Sequence, residues 1–286
     1  MFNKVTKPIK ELSRFEEEHE NKTGLEGVHL LHADYKWVKK VKSLKQMRTD
    51  HQLTSQEMQK TNVCVKNFPH DYWKGQHGFW NASEHEIRRT HHKYLVPGKS
   101  IVIEVGGNIG DTAQVFLDMY KPKHYVILEP IRLLHQQLLR RFRFYNNAII
   151  YNIGLGSSNK EIMINIEGKN GVATSQWGQS GEGSSSLKVV NATQFFEKLG
   201  VGNFMVDLIT INCEGCEYDL LETLLSTHFV YYFKNIQFGS HTKIKGLPDP
   251  VGRYCRLQQL LRRNHVMTYQ HIFTWENWQL KDKFRK

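Results

Sequence analysis

No stretch of 18 or more apolar residues occurs in the 286-residue chain, so no membrane-spanning helix is expected. The opening residues, MFNKVTKPIKELSRFEEEHE, lack the apolar core of a signal peptide. Cysteine is sparse: Cys64, Cys213, Cys216 and Cys255 are too few for a disulfide scaffold and favour a reducing compartment. With no leader segment, the expected location is cytoplasmic, and the sequons at Asn21, Asn81 and Asn191 are read as chance matches. No second C-x-x-C accompanies Cys213 and Cys216, so no metal site is expected and the pair is read as packing. No internal repeat is visible.

What is present is a sizeable apolar fraction, 40%, with 23% charged and 12% aromatic residues, the composition of a folded chain. The net charge is +11, unevenly placed. Residues 99–239 hold 12 Lys/Arg and 13 Asp/Glu, whereas residues 240–286 hold 10 and 3, and residues 1–98 hold 17 and 12. Basic flanks around a near-neutral middle attract nucleic acid, an anionic membrane or an acidic substrate, or are simply a solvated surface. The segments KWVKKVKSLKQMR and RRFRF lack an aromatic platform, which argues against specific nucleic-acid recognition.

Residues 1–83 read as a basic extension, helical over 8–21 and irregular beyond, and 84–286 as the main domain. A second helix is expected over 83–95, with His91 and His92 on its surface. The aromatic run NFPHDYWKGQHGFW fits packing against the main domain or a substrate-facing cap. From residue 99, buried strands alternate with helices: SIVIEVGG, DTAQVFLDMY, KHYVILEP, IRLLHQQLLRRFRFY and NAIIYNIGLG. Residues 167–186, rich in Gly and Ser, read as a flexible loop between the short strands EIMINI and LKVV. ATQFFEKLG, DLITINCEG, EYDLLETLL and YFKNIQFGS resume the alternation, RYCRLQQLLRRN forms a helix, and HVMTYQHIFTWENWQL closes with an antiparallel pair. This predicts an α/β fold with a doubly wound, mostly parallel sheet.

The first strand–turn–helix carries the chemistry. A nicotinamide fingerprint needs G-x-G-x-x-G, and here Asn108 and Asp111 stand where the second and third glycines belong. Glu104 precedes Gly106, Gly107, Asn108 and Gly110; an acid at this strand end repels a phosphate and suits a cationic ligand. The second strand ends in Glu129, placed to accept hydrogen bonds from ribose hydroxyls. S-adenosylmethionine carries both a cationic tail and a ribose, with no phosphate. The competing reading has Glu104 capping a helix and Glu129 solvated.

IVIEVGGNIGDTAQVF, YVILEP and DLITINCEGCEYDLL together resemble the FkbM family of S-adenosylmethionine-dependent methyltransferases, over about residues 84–280. The likeness includes the segment before ATQFFEKL and the terminal Glu276–Trp278. It implies the Rossmann-like class I methyltransferase fold with a seven-stranded sheet. It also implies cofactor contacts by Glu104, Gly106, Asn108, Gly110 and Glu129, to which Gly107 and Asp111 of the same turn are added as candidates. The chain departs from the family pattern at Thr210, where Lys is usual, and at Asn212, where Asp is usual, while Glu214, Gly215 and Glu217 match. Loss of the carboxylate at Asn212 counts against metal assistance there, and leaves an amide able to orient a hydroxyl.

The resulting expectation is methyl transfer to a hydroxyl of a sugar, glycan or other small metabolite, with an anionic acceptor suggested by the basic flanks. Glu214 and His241 are the candidate bases and Asn212 a positioning group. Glu214 reads equally as an acid stabilised at a helix N-terminus, and His241 as a structural histidine. A methyltransferase-like binding module and an RNA methyltransferase are the rival readings. NCEG in place of an N-P-P-Y-type tetrad argues against base N-methylation.

Overall fold

The computed structural model describes residues 52–81, 83–164 and 185–285. The proposed helix over 8–21 and nearly all of the Gly/Ser-rich loop lie outside them. The chain enters through α1 (Ser55–Trp80), started by a capping box in which Thr54 and Glu57 each accept a hydrogen bond from the other's backbone N–H. A 3₁₀ turn at Glu84–Glu86 leads into the short α2 (Ile87–Thr90). There follow β1 (Ile101–Val105), α3 (Asp111–Val115) continued by a π turn at Phe116–Tyr120, β2 (His124–Leu128), α4 (Arg132–Arg141) and β3 (Ala148–Tyr151).

Three strands then form a small separate sheet: β4 (Gly154–Gly156), β5 (Lys160–Ile164) and β6 (Ser185–Asn191), with β6 between the other two. The main sheet resumes after α5 (Ala192–Leu199) with β7 (Leu208–Ile211), α6 (Cys216–Ser226), β8 (Asn235–Gly239), α7 (Pro250–Asn264), β9 (His265–His271) and β10 (Trp275–Leu280).

The seven strands run in the order β3-β2-β1-β7-β8-β10-β9. The first five are mutually parallel, and β10 is antiparallel to both its neighbours. This is the doubly wound Rossmann-like architecture. β1 shows why the sequence reads as a continuous apolar run. Ile103 and Val105 enter the core on one face, Val102 that on the other, and helices cover both. Strand order reverses between β1 and β7, and their carboxyl ends open a crevice at this switch point.

Besides the helix expected over 83–95, of which only Ile87–Thr90 is α-helical, four sequence expectations need correction. The irregular stretch after residue 21 contains a 26-residue helix, α1, because its aromatics face a core that the local pattern could not reveal. Phe68 meets Phe273 edge-on at 4.9 Å, and Phe79 stacks on Trp275 at 5.7 Å. NAIIYNIGLG divides between two sheets, β3 in one and β4 in the other. His92 is not a surface residue but fully buried, with its ring between the Arg88 carbonyl and the Tyr94 hydroxyl. Burial pushes its pKa down to about 4, so it is neutral.

The cysteines are the fourth. All four are paired, Cys64 with Cys255 and Cys213 with Cys216. Disulfides belong to oxidising surroundings, so the cysteine count is no argument for a reducing compartment. Among the described residues no helix is long and apolar enough to cross a membrane.

The Cys64–Cys255 bond ties α1 to α7 across 191 residues, beside an ion pair from Arg263 to Glu57 at 2.7 Å. Cys64→Ser is expected to lower unfolding free energy by about 2–5 kcal/mol, the usual range for loss of a native disulfide. Denaturant unfolding of the variant against the oxidised parent measures it.

Candidate functional site

The crevice exists because β1 and β7 come together closely. The Asn212 amide donates to the Val105 carbonyl at 2.9 Å, extending the ladder beyond both strands. Gly106 sits at φ +91°, and a Cβ there would lie 2.0 Å from the Asn212 carbonyl oxygen. Only glycine fits, on both conformational and steric grounds. Gly106 and Gly107 then donate to the Leu128 carbonyl, binding the turn to β2. Asn108 accepts the left-handed conformation at φ +46°, helped by its own side-chain oxygen, which takes the Ile109 N–H at 2.8 Å.

A cavity of about 290 Å³ opens above this turn. Its β1–β2 side holds Glu104, Gly106, Gly107, Asn108, Asp111 and Glu129, with Pro130, Ile131, Leu134 and Leu187 as an apolar wall. Glu104 is buried and accepts a hydrogen bond from the Tyr125 hydroxyl at 2.9 Å. Burial pushes its pKa up to about 8, against the opposing pull of that hydroxyl and of Arg89. No described cation forms an ion pair with it. Glu129 is equally buried; its two oxygens receive the Asn108 and Ile131 amides at 2.8 and 2.9 Å, and burial still pushes its pKa up to about 7. Each oxygen retains one further acceptor site.

The remaining turn residues divide. Asp111 reaches the cavity edge but is held by Arg141 at 2.8 Å. Gly110 lies behind the lining, at φ +86°, where a Cβ would strike the Phe142 ring at 2.6 Å.

The β7 side presents Thr210, Asn212, Cys213 and Glu214. The Cys213–Cys216 disulfide closes a short ring around Glu214 and Gly215, whose φ values are +50° and +100°. Glu217, fully buried on the first turn of α6, is the fixed point of this corner. It accepts the Gly215 amide, the His241 amide and the His241 Nδ1–H, all at 2.9 Å. His241 Nε2 lies 3.3 Å from Glu214.

His241 therefore backs Glu214 rather than lining the cavity. Burial alone would lower the imidazolium pKa. The Glu217 charge and the hydrogen bonds to Glu214 and Glu217 outweigh it, raising the value to about 10. At neutral pH the ring is cationic and has no lone pair with which to take a proton.

Sequence reasoning singled out Glu104, Glu129, Asn212, Glu214 and His241, and the fold gathers them at one switch point. Among the cavity residues it passed over, three stand out. Arg88 and Arg89 come from α2, before the sheet begins, and Trp275 comes from β10, far along the chain. It noted Glu217 only as part of a matching motif. Among the described residues no group of three or more His, Cys, Asp or Glu is placed to hold a metal.

The corner predicts a pH signature. His241 is raised above its unfolded value, so its contribution to stability is complete below about pH 6.5 and is lost as pH rises through about 10. Glu217→Gln removes the dominant charge and is expected to move the His241 pKa down by at least about one unit. Imidazole resonances followed by NMR across pH 5–11 report both.

No family model matches the chain, and no curated protein sequence is similar to it. Among solved structures it is similar to methyltransferase FkbM from Methylobacillus flagellatus KT, at 13% identity and a TM-score of 0.48. The match covers 85% of this chain and 58% of that one, less than two thirds of its length. It is also similar to the putative methyltransferase yhhF from Escherichia coli, at 11% identity and 0.36, covering 68% and 86%. A third is the fibrillarin pre-rRNA processing protein from Methanococcus jannaschii, at 12% and 0.38, covering 65% and 68%. At these values no activity follows from the likenesses, and the functional reading rests on the residues.

Proposed function

We propose that the protein is an S-adenosylmethionine-dependent methyltransferase acting on a hydroxyl of a sugar or other small metabolite. The observation that carries this is the pair of buried acids, Glu104 and Glu129, at the ends of adjacent parallel strands on one wall of the cavity. A buried carboxylate without an ion-paired cation is unfavourable, which the raised value of Glu104 records. A ligand ammonium supplies the missing partner. Glu129, its backbone bonds fixing its orientation, offers its two remaining acceptor sites to vicinal hydroxyls. The apolar wall of Ile131, Leu134 and Leu187 suits a purine. The residues present thus fit the cofactor.

When bound, S-adenosylmethionine supplies an electrophilic methyl group on a sulfonium. The chain's own residues then have distinct tasks. Asn212, at the end of β7, orients the acceptor hydroxyl through its side-chain amide. Glu214 would take the proton of the acceptor hydroxyl as that oxygen is methylated. His241, already protonated, cannot be that base; its Nε2–H holds the Glu214 carboxylate in place while Glu217 fixes the ring. A positioned general base contributes about 10²–10⁴-fold. Glu214→Gln is accordingly expected to lower kcat by about that factor with cofactor affinity retained. Transfer of labelled methyl into pooled sugars and metabolites reads the activity, and reproducible transfer eliminates a non-catalytic binding module.

Glu104 makes cofactor binding pH-dependent. With its pKa near 8 in the free protein it is mostly protonated at pH 7 and must ionise to meet an ammonium. Binding should therefore release up to about one proton, and affinity should strengthen as pH rises from 6 to 8. Calorimetry in buffers of different ionisation enthalpy counts the protons. Glu104→Gln should remove the larger share of the release and leave that of Glu129, whose pKa lies near 7, and Glu129→Ala should weaken binding at every pH.

A further inference from the structure

We propose that Arg88 is the receptor for an anionic group on the methyl acceptor, so that the substrate is a hydroxylated metabolite or sugar carrying a carboxylate or phosphate. The inference rests on the methyltransferase reading for the identity of the site, and on separate observations for its charge.

Arg88 lines the cavity. Its guanidinium carbon stands 5.6 Å from the Trp275 ring centre and 5.8 Å from that of Phe79, two rings that are themselves parallel within 9°. Aromatic faces hold a guanidinium in place but leave its in-plane N–H donors unused. Nε is buried and donates to no partner, and no described acid forms an ion pair with this side chain. Its neighbour Arg89 differs in this respect, since it is bound to Glu86 at 3.1 Å. The backbone of Arg88 is fixed as well: its carbonyl receives His92 Nε2–H and Gln237 Nε2–H, both at 3.0 Å. A positioned, partly desolvated fork of donors matches the planar, bidentate geometry of a carboxylate or phosphate.

The cofactor also carries a carboxylate, so the same chemistry has two sources. Position favours the acceptor. A Cβ on Gly239 would lie 2.7 Å from the Trp275 ring and 2.9 Å from Asn212 Oδ1, so ring and amide meet over this glycine. Arg88, against Trp275, thus enters the crevice from its β7–β8–β10 side, its charge still reaching Glu104, while the two acids stand on the β1–β2 half.

The test uses the full chain and inorganic phosphate as probe. Phosphate is titrated into protein saturated with S-adenosylhomocysteine, following the Arg88 Nε–H resonance, which is assigned by its loss in Arg88→Gln. Calorimetry measures S-adenosylhomocysteine and 5′-methylthioadenosine, which lacks the amino acid, on both proteins. The expected result is a saturable shift in the parent, phosphate affinity at least about tenfold weaker in the variant, and unchanged nucleoside affinities.

No saturable shift, or equal phosphate affinity in the variant, overturns the proposal. So does a variant that loses affinity for S-adenosylhomocysteine but not for methylthioadenosine, since that assigns Arg88 to the cofactor's carboxylate. If neither nucleoside binds the parent, the methyltransferase reading fails and the acceptor assignment with it; the phosphate titration of the ligand-free protein then reports only on Arg88 as an anion site.

Discussion

The contact between Gly106 and the Asn212 carbonyl sets the geometry on which the site depends. Two parallel strands with diverging connections would normally part at their carboxyl ends. Here backbone meets backbone at a distance that excludes a methyl group. The acid-bearing turn after β1 and the corner after β7 are therefore parts of one rigid wall, and the groups they carry keep a fixed spacing. Everything asked of the crevice, from accepting a cation at Glu104 to aligning a hydroxyl at Asn212, presumes that spacing.

Charge is arranged around this wall in a consistent way. On the β1–β2 half, acids are buried without counter-ions and their ionisation is suppressed. On the β7 half, acids surround a histidine and their mutual attraction keeps it protonated. On the α2 side, a guanidinium is held against a pair of stacked rings with its Nε donor unused. The first and the last of these are deficits that a particular kind of ligand atom would make good, and the two together describe a ligand set more sharply than the overall excess of basic residues does.

Much of this was legible from sequence because it is local. The strand–turn–helix around Gly106, the acid ending YVILEP and the E-G-x-E run each occupy a few consecutive residues, so their chemistry and spacing are on view. The closing antiparallel pair was legible for the same reason. α1 was not: its aromatics are patterned for a surface made by α7 and β10, some 200 residues away, and contain an internal Pro69 that disguises the helix. Arg88 was equally hidden, since its significance comes from Trp275, and nothing near either residue in sequence marks the pairing. The disulfides were misread because cysteine count stood in for cysteine proximity. A C-x-x-C at the start of a helix brings its sulfurs together regardless of how few others exist.

The Cys64–Cys255 bond also determines how the molecule bears a load. Strands β1 to β8 all lie within the covalent loop it closes, and β9 and β10 lie outside. A pull applied ahead of Cys64 passes through the sulfur bridge into α7 and onward to the last two strands. The switch point and its acids sit off that line of force. Tension between the two ends of the chain would load the first turns of α1 and the antiparallel edge of the sheet, and with that edge Trp275, while the acid-bearing turns stay shielded.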